Sequence, residues 1–594
     1  GFERGITTMM TEMERAKRFG FVATELERVK KTWLRNYESA SNERGNEEDS
    51  ELINQLVDVF LENAPFTDAT FDYDFAKKQL PTITLEEVNA ILKSWITGGK
   101  NAVITIQGID KQGVVIPSEL EVRDLIAQAR ASKIEAYQDK TIDKPLLKTR
   151  PTEHIFDAFK EITLVPENKA TGQKALVAQQ YGFPNGAKVV MLHTDFKNDE
   201  VQFQSYSFGG TSNFALEDRM SGGYATAVVN EGGLGDFSKN DLKKYLSDKQ
   251  VAVRPYLSEN FEGLSGYCSP RDFETMLQLI YLHITAPRKD EVAFSALMKQ
   301  QKSFLENKSV NPENVYRDSV SYILADHHPR RKPTGAKELD QVNLDKAIEL
   351  YKERFHDGGD FTFFFVGNLT TLDNVAGNLA AYIGGLPNDP KGDYFKDLNI
   401  PTAKGTIKSV VKKGVAPKSQ VQIYYTGEAK YTRQNRNELS ALTEILKIKL
   451  RESLREDKGG VYGIGISSSI NHFPTSSYTT TINFSCAPER VEELIAAVKA
   501  EIEKVKLNGA EEKDMTKVRE TRRVEMETGR KENSFWLQNL MSIYQNGEDT
   551  TIKALESVEK LNEYYNALTS KDYKRLANQY FDLKNVATFV LLPE

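Results

Sequence analysis

At 594 residues the chain is too long for one hydrophobic core, and ordinary domain sizes divide it into about four units. Its 39% hydrophobic and 10% aromatic content is that of a folded globular protein, not a disordered one. Lys plus Arg number 78 against 85 Asp plus Glu; the resulting charge of −7 lacks the basic excess that a nucleic-acid partner requires, and no apolar run is long enough to span a membrane.

The chain opens Gly1-Phe2-Glu3-Arg4-Gly5, with neither an initiator Met nor the pattern of a signal peptide, as a mature or truncated N-terminus would. Residues 20–106 begin at Gly20-Phe21 with a helix carrying Leu26 and Val29. They continue through Thr84 and Glu86, which start a further helix, and close on an expected strand at 101–106. Residues 107–175 are rich in Lys, Asp, Glu and Pro, with one expected helix over 119–136, and read as a connector. Alternating runs then predict strands at 187–192, 201–207 and 263–268 around a helix at 218–231. Asp290 and Phe294 open another helix, Asn343 caps a later one, and 361–366 (FTFFFV) has the composition of a buried strand.

From 403 onward the same order returns. Strands are expected at 420–425, 461–469 and 478–486, and a helix at 437–455 presents Leu439, Leu442, Ile445, Leu446 and Leu450 on one face. Gly509, Asp514 and Thr569 then replay Gly20, Asp290 and Thr84, ending on a strand at 585–590. The predicted class is α+β, built from repeated two-layer domains of mostly antiparallel sheet with helices on one face. The expected divisions are 1–110 (the trailing part of a domain), 111–175 (linker), 176–395 and 396–594. A first copy with only nineteen residues before Gly20 leads to the expectation of a chain incomplete at its N-terminus.

Common chemical signatures are absent. There is no phosphate-binding glycine loop, nucleophile elbow or dinucleotide fingerprint, and the seven histidines form no metal-binding helix. His327-His328-Pro329 reads as a surface turn, because adjacent residues seldom converge on one ion. Cys268 and Cys486 are too few for a disulfide framework or a four-thiolate zinc site and read as buried thiols. The sharpest local feature is Leu454-Arg455-Glu456-Asp457-Lys458-Gly459-Gly460-Val461-Tyr462, where a helix gives way to a strand. Arg455 and Tyr462 could aim donors at one spot and stabilise a developing oxyanion. Equally, the Arg could satisfy helix C-terminal carbonyls while the Tyr fills a half-buried strand position.

The pattern Leu-Arg-Glu-x-x-Gly-x-x-Tyr in the last repeated domain resembles that of the insulinase/pitrilysin zinc metallopeptidases, most closely the bacterial, PqqL-type members with four domains in one chain. Leu80-Pro81-Thr82-Ile83-Thr84, Phe183-Pro184-Asn185-Gly186 and Glu231-Gly232-Gly233 extend the resemblance over nearly the whole sequence. It implies a pitrilysin-like fold in which two halves, each of two similar domains, enclose a chamber for unfolded peptides. It also implies zinc in the first domain, on a His-x-x-Glu-His helix with a distant Glu as third ligand and the motif's Glu activating water. Arg455 and Tyr462 are then the substrate and transition-state contacts.

The departure from the family lies in the metal site. Aligned on Gly223, the helix at 218–231 puts Thr226, Val229 and Asn230 where His, Glu and His would stand. No zinc is therefore expected in this chain, only in the intact enzyme. Two functions follow: the inactive, non-zinc portion of a zinc endopeptidase, or a non-catalytic peptide-binding or scaffold subunit of the same fold. Expected partners are unfolded peptides and a missing N-terminal domain, with no nucleic acid and no membrane span. A bacterial periplasmic or envelope location follows from family habit alone.

Overall fold

A computed structural model describes all residues except 97–101, 109–114, 141, 168, 170–173, 371, 373, 390–391, 462 and 548–560. The chain divides into two compact units, Gly1–Lys148 with Asn240–Gln250, and Thr149–Lys239 with Val251–Glu594.

The regular secondary structure among the described residues of the first unit is all helical. Phe2–Phe19, Ala23–Asn42, Asp49–Glu62, Ala69–Gln79, Leu85–Trp95, Glu119–Ala131 and Lys239–Tyr245 are its helices. Thr84 and Glu87 form a capping box at the helix start expected from the sequence, and Asp68 caps the helix before it by accepting from the N–H groups of Thr70 and Phe71. Helix Phe2–Phe19 ends at Gly20 (φ 74°), where a Cβ would stand 2.6 Å from the Asn89 side chain. That closeness lets Asn89 accept from the Phe21 N–H at 2.8 Å and donate to the Phe21 carbonyl at 3.2 Å. A small core of Met10, Val122, Ile126 and Ala129 joins Phe2–Phe19 to Glu119–Ala131.

Two expectations fail in this unit. The run at 101–106 is not a strand: 102–106 are irregular, and residue 101 lies outside the described residues. A short apolar run becomes a strand only when a neighbour completes its ladder, and the described residues of this unit contain no other strand. The helix expected to reach 136 stops at Ala131, because Ser132 turns to extended geometry and its N–H bonds back to Ala129.

The second unit holds two sheets. β1 (Ala158–Val165), β2 (Leu176–Gly182), β3 (Lys188–His193), β4 (Val201–Phe208), β5 (Val251–Leu257), β6 (Phe261–Cys268) and β7 (Thr362–Gly367) form the first, in the order β1-β2-β3-β7-β4-β6-β5. β8 (Gly405–Lys412), β9 (Ser419–Glu428), β10 (Ile464–Asn471), β11 (Ser477–Cys486) and β12 (Asn585–Leu592) form the second, in the order β10-β11-β9-β12-β8. Five strands of each sheet share one topology. β7 and β12 each lie beside one parallel neighbour, β3 and β8, and every other pair is antiparallel. The α+β repeat is thus present as two mixed sheets. The β1–β2 hairpin has no counterpart and extends the first sheet beyond β3. β1 lies in the segment expected to be a linker; Ile162, Leu164 and Val165 are buried there despite the polar composition around them.

Each sheet covers one face with its own helices and the other with a helix from the opposite repeat. On β7, Phe363 and Phe365 meet Phe203 and Phe273. Phe364 and Val366, on the other side of the strand, join Trp536, Leu537, Leu540 and Met541 of helix Asn533–Gln545. Reciprocally, Tyr316 and Val320 of helix Pro312–Leu324 pack on Ala587, Phe589 and Leu591 of β12. Polar pins fix both exchanges. Tyr316 donates to the Phe589 carbonyl at 3.0 Å, and Asn533 donates to Glu200 at 2.8 Å. With both faces covered, β7 is buried along its whole length, which accounts for a strand with no polar alternation.

Candidate substrate-contact site

Helix Arg433–Arg451 buries Leu439, Leu442, Ile445, Leu446 and Leu450 against the second sheet, the face expected from their spacing. At Glu452–Asp457 it widens into a π-helical turn, a distortion frequent at functional sites. Leu454 is fully buried and anchors this turn, while Arg455 beside it is exposed. Among the described residues none hydrogen-bonds or ion-pairs with the Arg455 guanidinium. Tyr462, the other expected contact, lies outside the described residues.

The chain leaving the turn is held from several sides. The Gly460 N–H donates to the Leu454 carbonyl at 3.0 Å, and the Lys458 N–H to the Ser453 carbonyl at 3.2 Å. Gly459 takes φ 54°, and a Cβ on Gly460 would come within 2.7 Å of Leu494, so this glycine permits the close approach of turn to helix. Arg490 donates to the Lys458 carbonyl at 3.3 Å and grips Glu493 with two nitrogens, at 3.0 and 3.1 Å. One turn before the π-helical segment, Lys449 meets buried Asp514 at 2.7 Å and Glu511 at 3.2 Å. Burial works against the Lys449 charge, but hydrogen bonds to the two carboxylates outweigh it and hold the pKa well above the ordinary lysine value.

Sequence reasoning placed Arg455 correctly at the end of this helix but missed the Lys449–Asp514 pair and the Arg490–Glu493 clamp. Asp514 had drawn notice only as a repeat marker. No local signal pointed to the pair, because Lys449 and Asp514 lie on helices Arg433–Arg451 and Glu512–Gly529, with Val491–Asn508 between them in the chain. An open groove of about 880 Å³, lined by Thr426–Tyr431 residues, Pro474 and Tyr478, lies at the opposite end of β9 and β11 from this turn.

Repeat topology and the helix–turn–strand geometry can be set beside known proteins. Residues 341–522 match the family model described as the peptidase M16 inactive domain. The chain is 22% identical over 550 residues to the zinc protease PQQL-like protein of Arabidopsis thaliana, covering 89% of this chain and 53% of that one. It is 22% identical over 510 residues to the probable zinc protease PqqL of Escherichia coli, covering 85% and 53%. The chain therefore spans about half the length of these curated relatives. Among solved structures, the periplasmic protease PqqL from Escherichia coli aligns over 99% of this chain and 63% of its own, with a TM-score of 0.66 at 19% identity. A ferredoxin protease FusC mutant, solved with Arabidopsis ferredoxin, aligns over the same shares with a TM-score of 0.67 at 17% identity. The fold is the pitrilysin-like M16 fold.

The relatives are named as zinc proteases, and a catalytic zinc needs imidazole and carboxylate donors. On helix Arg219–Gly232, Val229 is wholly buried in the core, and Thr226 and Asn230 flank it half-buried. A methyl-bearing hydroxyl, an isopropyl group and an amide provide neither imidazole nor carboxylate, and they do not fit a catalytic zinc. Among the described residues there is no group of three or more His, Cys, Asp and Glu side chains placed to hold a metal ion. No described helix is long and apolar enough to cross a membrane.

Proposed function

We propose that this chain is the non-zinc portion of a zinc-dependent endopeptidase that degrades unfolded peptides inside a closed chamber, and that it is inactive without a zinc-bearing domain. The observation that carries the reading is similarity to named zinc proteases across most of this chain but only half of theirs, with no zinc-fitting residues on helix Arg219–Gly232. In this reading Arg455 and Tyr462 touch substrate. The Arg455 guanidinium, exposed on a turn anchored by Leu454, donates to a peptide carbonyl; the Tyr462 phenol donates beside it as negative charge develops on that oxygen. The π-helical turn and the Arg490–Glu493 clamp act as positioning elements. A periplasmic or envelope setting accords with the periplasmic PqqL likeness.

The test is cleavage of quenched fluorescent peptides by the 594-residue chain alone and together with a zinc-bearing domain from a relative. Only the combination is expected to cleave, and a chelator is expected to stop it. Chelator-sensitive cleavage by the chain alone overturns the proposal.

A further inference from the structure

Asp514, the third residue of helix Glu512–Gly529, is wholly buried, and no backbone or hydroxyl group donates to either of its carboxylate oxygens. Its charge is met by Lys449 Nζ at 2.7 Å, with the more exposed Lys517 3.9 Å away. Lys449 stands in the last turn of helix Arg433–Arg451, where a cation suits the C-terminal dipole; Asp514 stands in a first turn, where an anion suits the N-terminal one. The bridge therefore joins two helix ends that the chain separates by a whole helix, Val491–Asn508.

Packing alone already holds these helices together. Met515 and Val518 of the later helix lie in the same core as Leu442, Leu446 and Leu450 of the earlier one. A buried ion pair adds little to such a core, because desolvation of both charges offsets their attraction and an apolar pair of similar volume serves stability as well or better. What an apolar pair cannot do is reach the π-helical turn. Glu452, the first residue of that turn, has one carboxylate oxygen 3.5 Å from Lys449 and the other 3.7 Å from Lys517. Lys449 thus links a buried, immobile anchor to the turn that bears Arg455, while Leu454 fixes the same turn from the core side.

We propose that Lys449 and Asp514 are positioning residues for Arg455: their buried bridge, passed on through Glu452, holds the π-helical turn in the register that projects the guanidinium outward. What the guanidinium touches there rests on the proposed function; the position of the turn does not.

Cys268 and Cys486 are buried, so an Arg455→Cys chain takes a thiol-reactive nitroxide at residue 455 alone. Its paramagnetic resonance spectrum reports the mobility of the turn, and hydrogen exchange at amides 453–460, with Arg455 intact, gives a second measure. Lys449→Met/Asp514→Leu should leave the melting temperature unchanged or raised, yet free the nitroxide and speed exchange at 453–460 at least about tenfold. Glu452→Gln, at a side chain 33% exposed, should loosen the turn in the same way with the buried bridge intact. A turn as ordered as the parent's in the double variant overturns the inference. Exchange that quickens equally throughout the second sheet does so too, since the pair then serves stability and not the turn. Should the double variant fail to fold, the Glu452→Gln chain decides alone. In the cleaving combination described above, the double variant should lower kcat about tenfold, and no further on top of Arg455→Ala. A loosened turn with unchanged kcat overturns the role given to Arg455 and leaves its positioning intact. Failure of the parent combination to cleave any peptide counts against the proposed function alone.

Discussion

Glu262, at the start of β6, is 1% exposed, and its carboxylate accepts from the Gly210 N–H with the Arg354 guanidinium 4.0 Å away. Burial dominates over both partners and pushes its pKa up to about 8. A carboxyl that holds its proton more tightly folded than unfolded contributes stability that is full below its unfolded value and is lost as pH rises through about 8. The melting temperature should therefore fall between about pH 4.5 and 8 through this group, and Glu262→Gln should flatten that part of the profile in calorimetry. His283 acts in the opposite sense. Burial lowers its pKa to about 4 although its Nε2 lies 3.2 Å from the Val253 carbonyl, so its contribution is full above about pH 6.5 and is lost as pH falls toward 4. His283→Gln should remove that acid-side slope and leave the neutral side unchanged. For Arg455, substitution by Ala in the assembled, active peptidase is expected to lower turnover by about one to three orders of magnitude, the scale of losing an oxyanion donor. Unchanged turnover would leave Arg455 as a cation at a helix C-terminus. The position of Arg455 at the end of its helix was legible because the sequence pattern around it is local. Glu262 was not, because its partners, Gly210 and Arg354, come from distant elements and only the fold brings them together.

Among the elements, the exchanged helices give the clearest measurable effect. Trp536 is 2% exposed in the cluster that seats helix Asn533–Gln545 on the first sheet, and Trp536→Ala should cost about 3–5 kcal/mol in denaturant unfolding, as large-to-small core changes do. Tyr316→Phe keeps the packing and removes one hydrogen bond to the Phe589 carbonyl, so it should cost about 1 kcal/mol. A result in the reverse order would mean that helix Asn533–Gln545 is only loosely seated. The central strands β7 and β12 were legible because each is an apolar run that follows a capped helix, one opened by Asn343 and the other by Thr569. β5 and β8 were missed for physical reasons. Both are edge strands; β5 carries Pro255 and β8 carries Lys408 and Lys412, devices that keep an exposed edge from pairing. The exchange itself was illegible, since an apolar stripe shows that a helix packs on something but not on which sheet.

For the molecule as a whole, the two repeats of the second unit cannot melt independently, because each completes its core with the other's helix. Probes on either sheet should report one coincident transition, and Trp536→Ala should move both together; separate midpoints for Phe203 and Tyr425 reporter sites would contradict the reciprocal packing. The same reciprocity limits where such a gene can be cut in two. A break between Gly367 and Gly405 would yield pieces that each carry the helix the other lacks, so neither could be lost, duplicated or inherited alone without stranding a bare sheet face. Paired descent of the two repeats follows from the position of two helices, Pro312–Leu324 and Asn533–Gln545, and does not require any shared active-site residue.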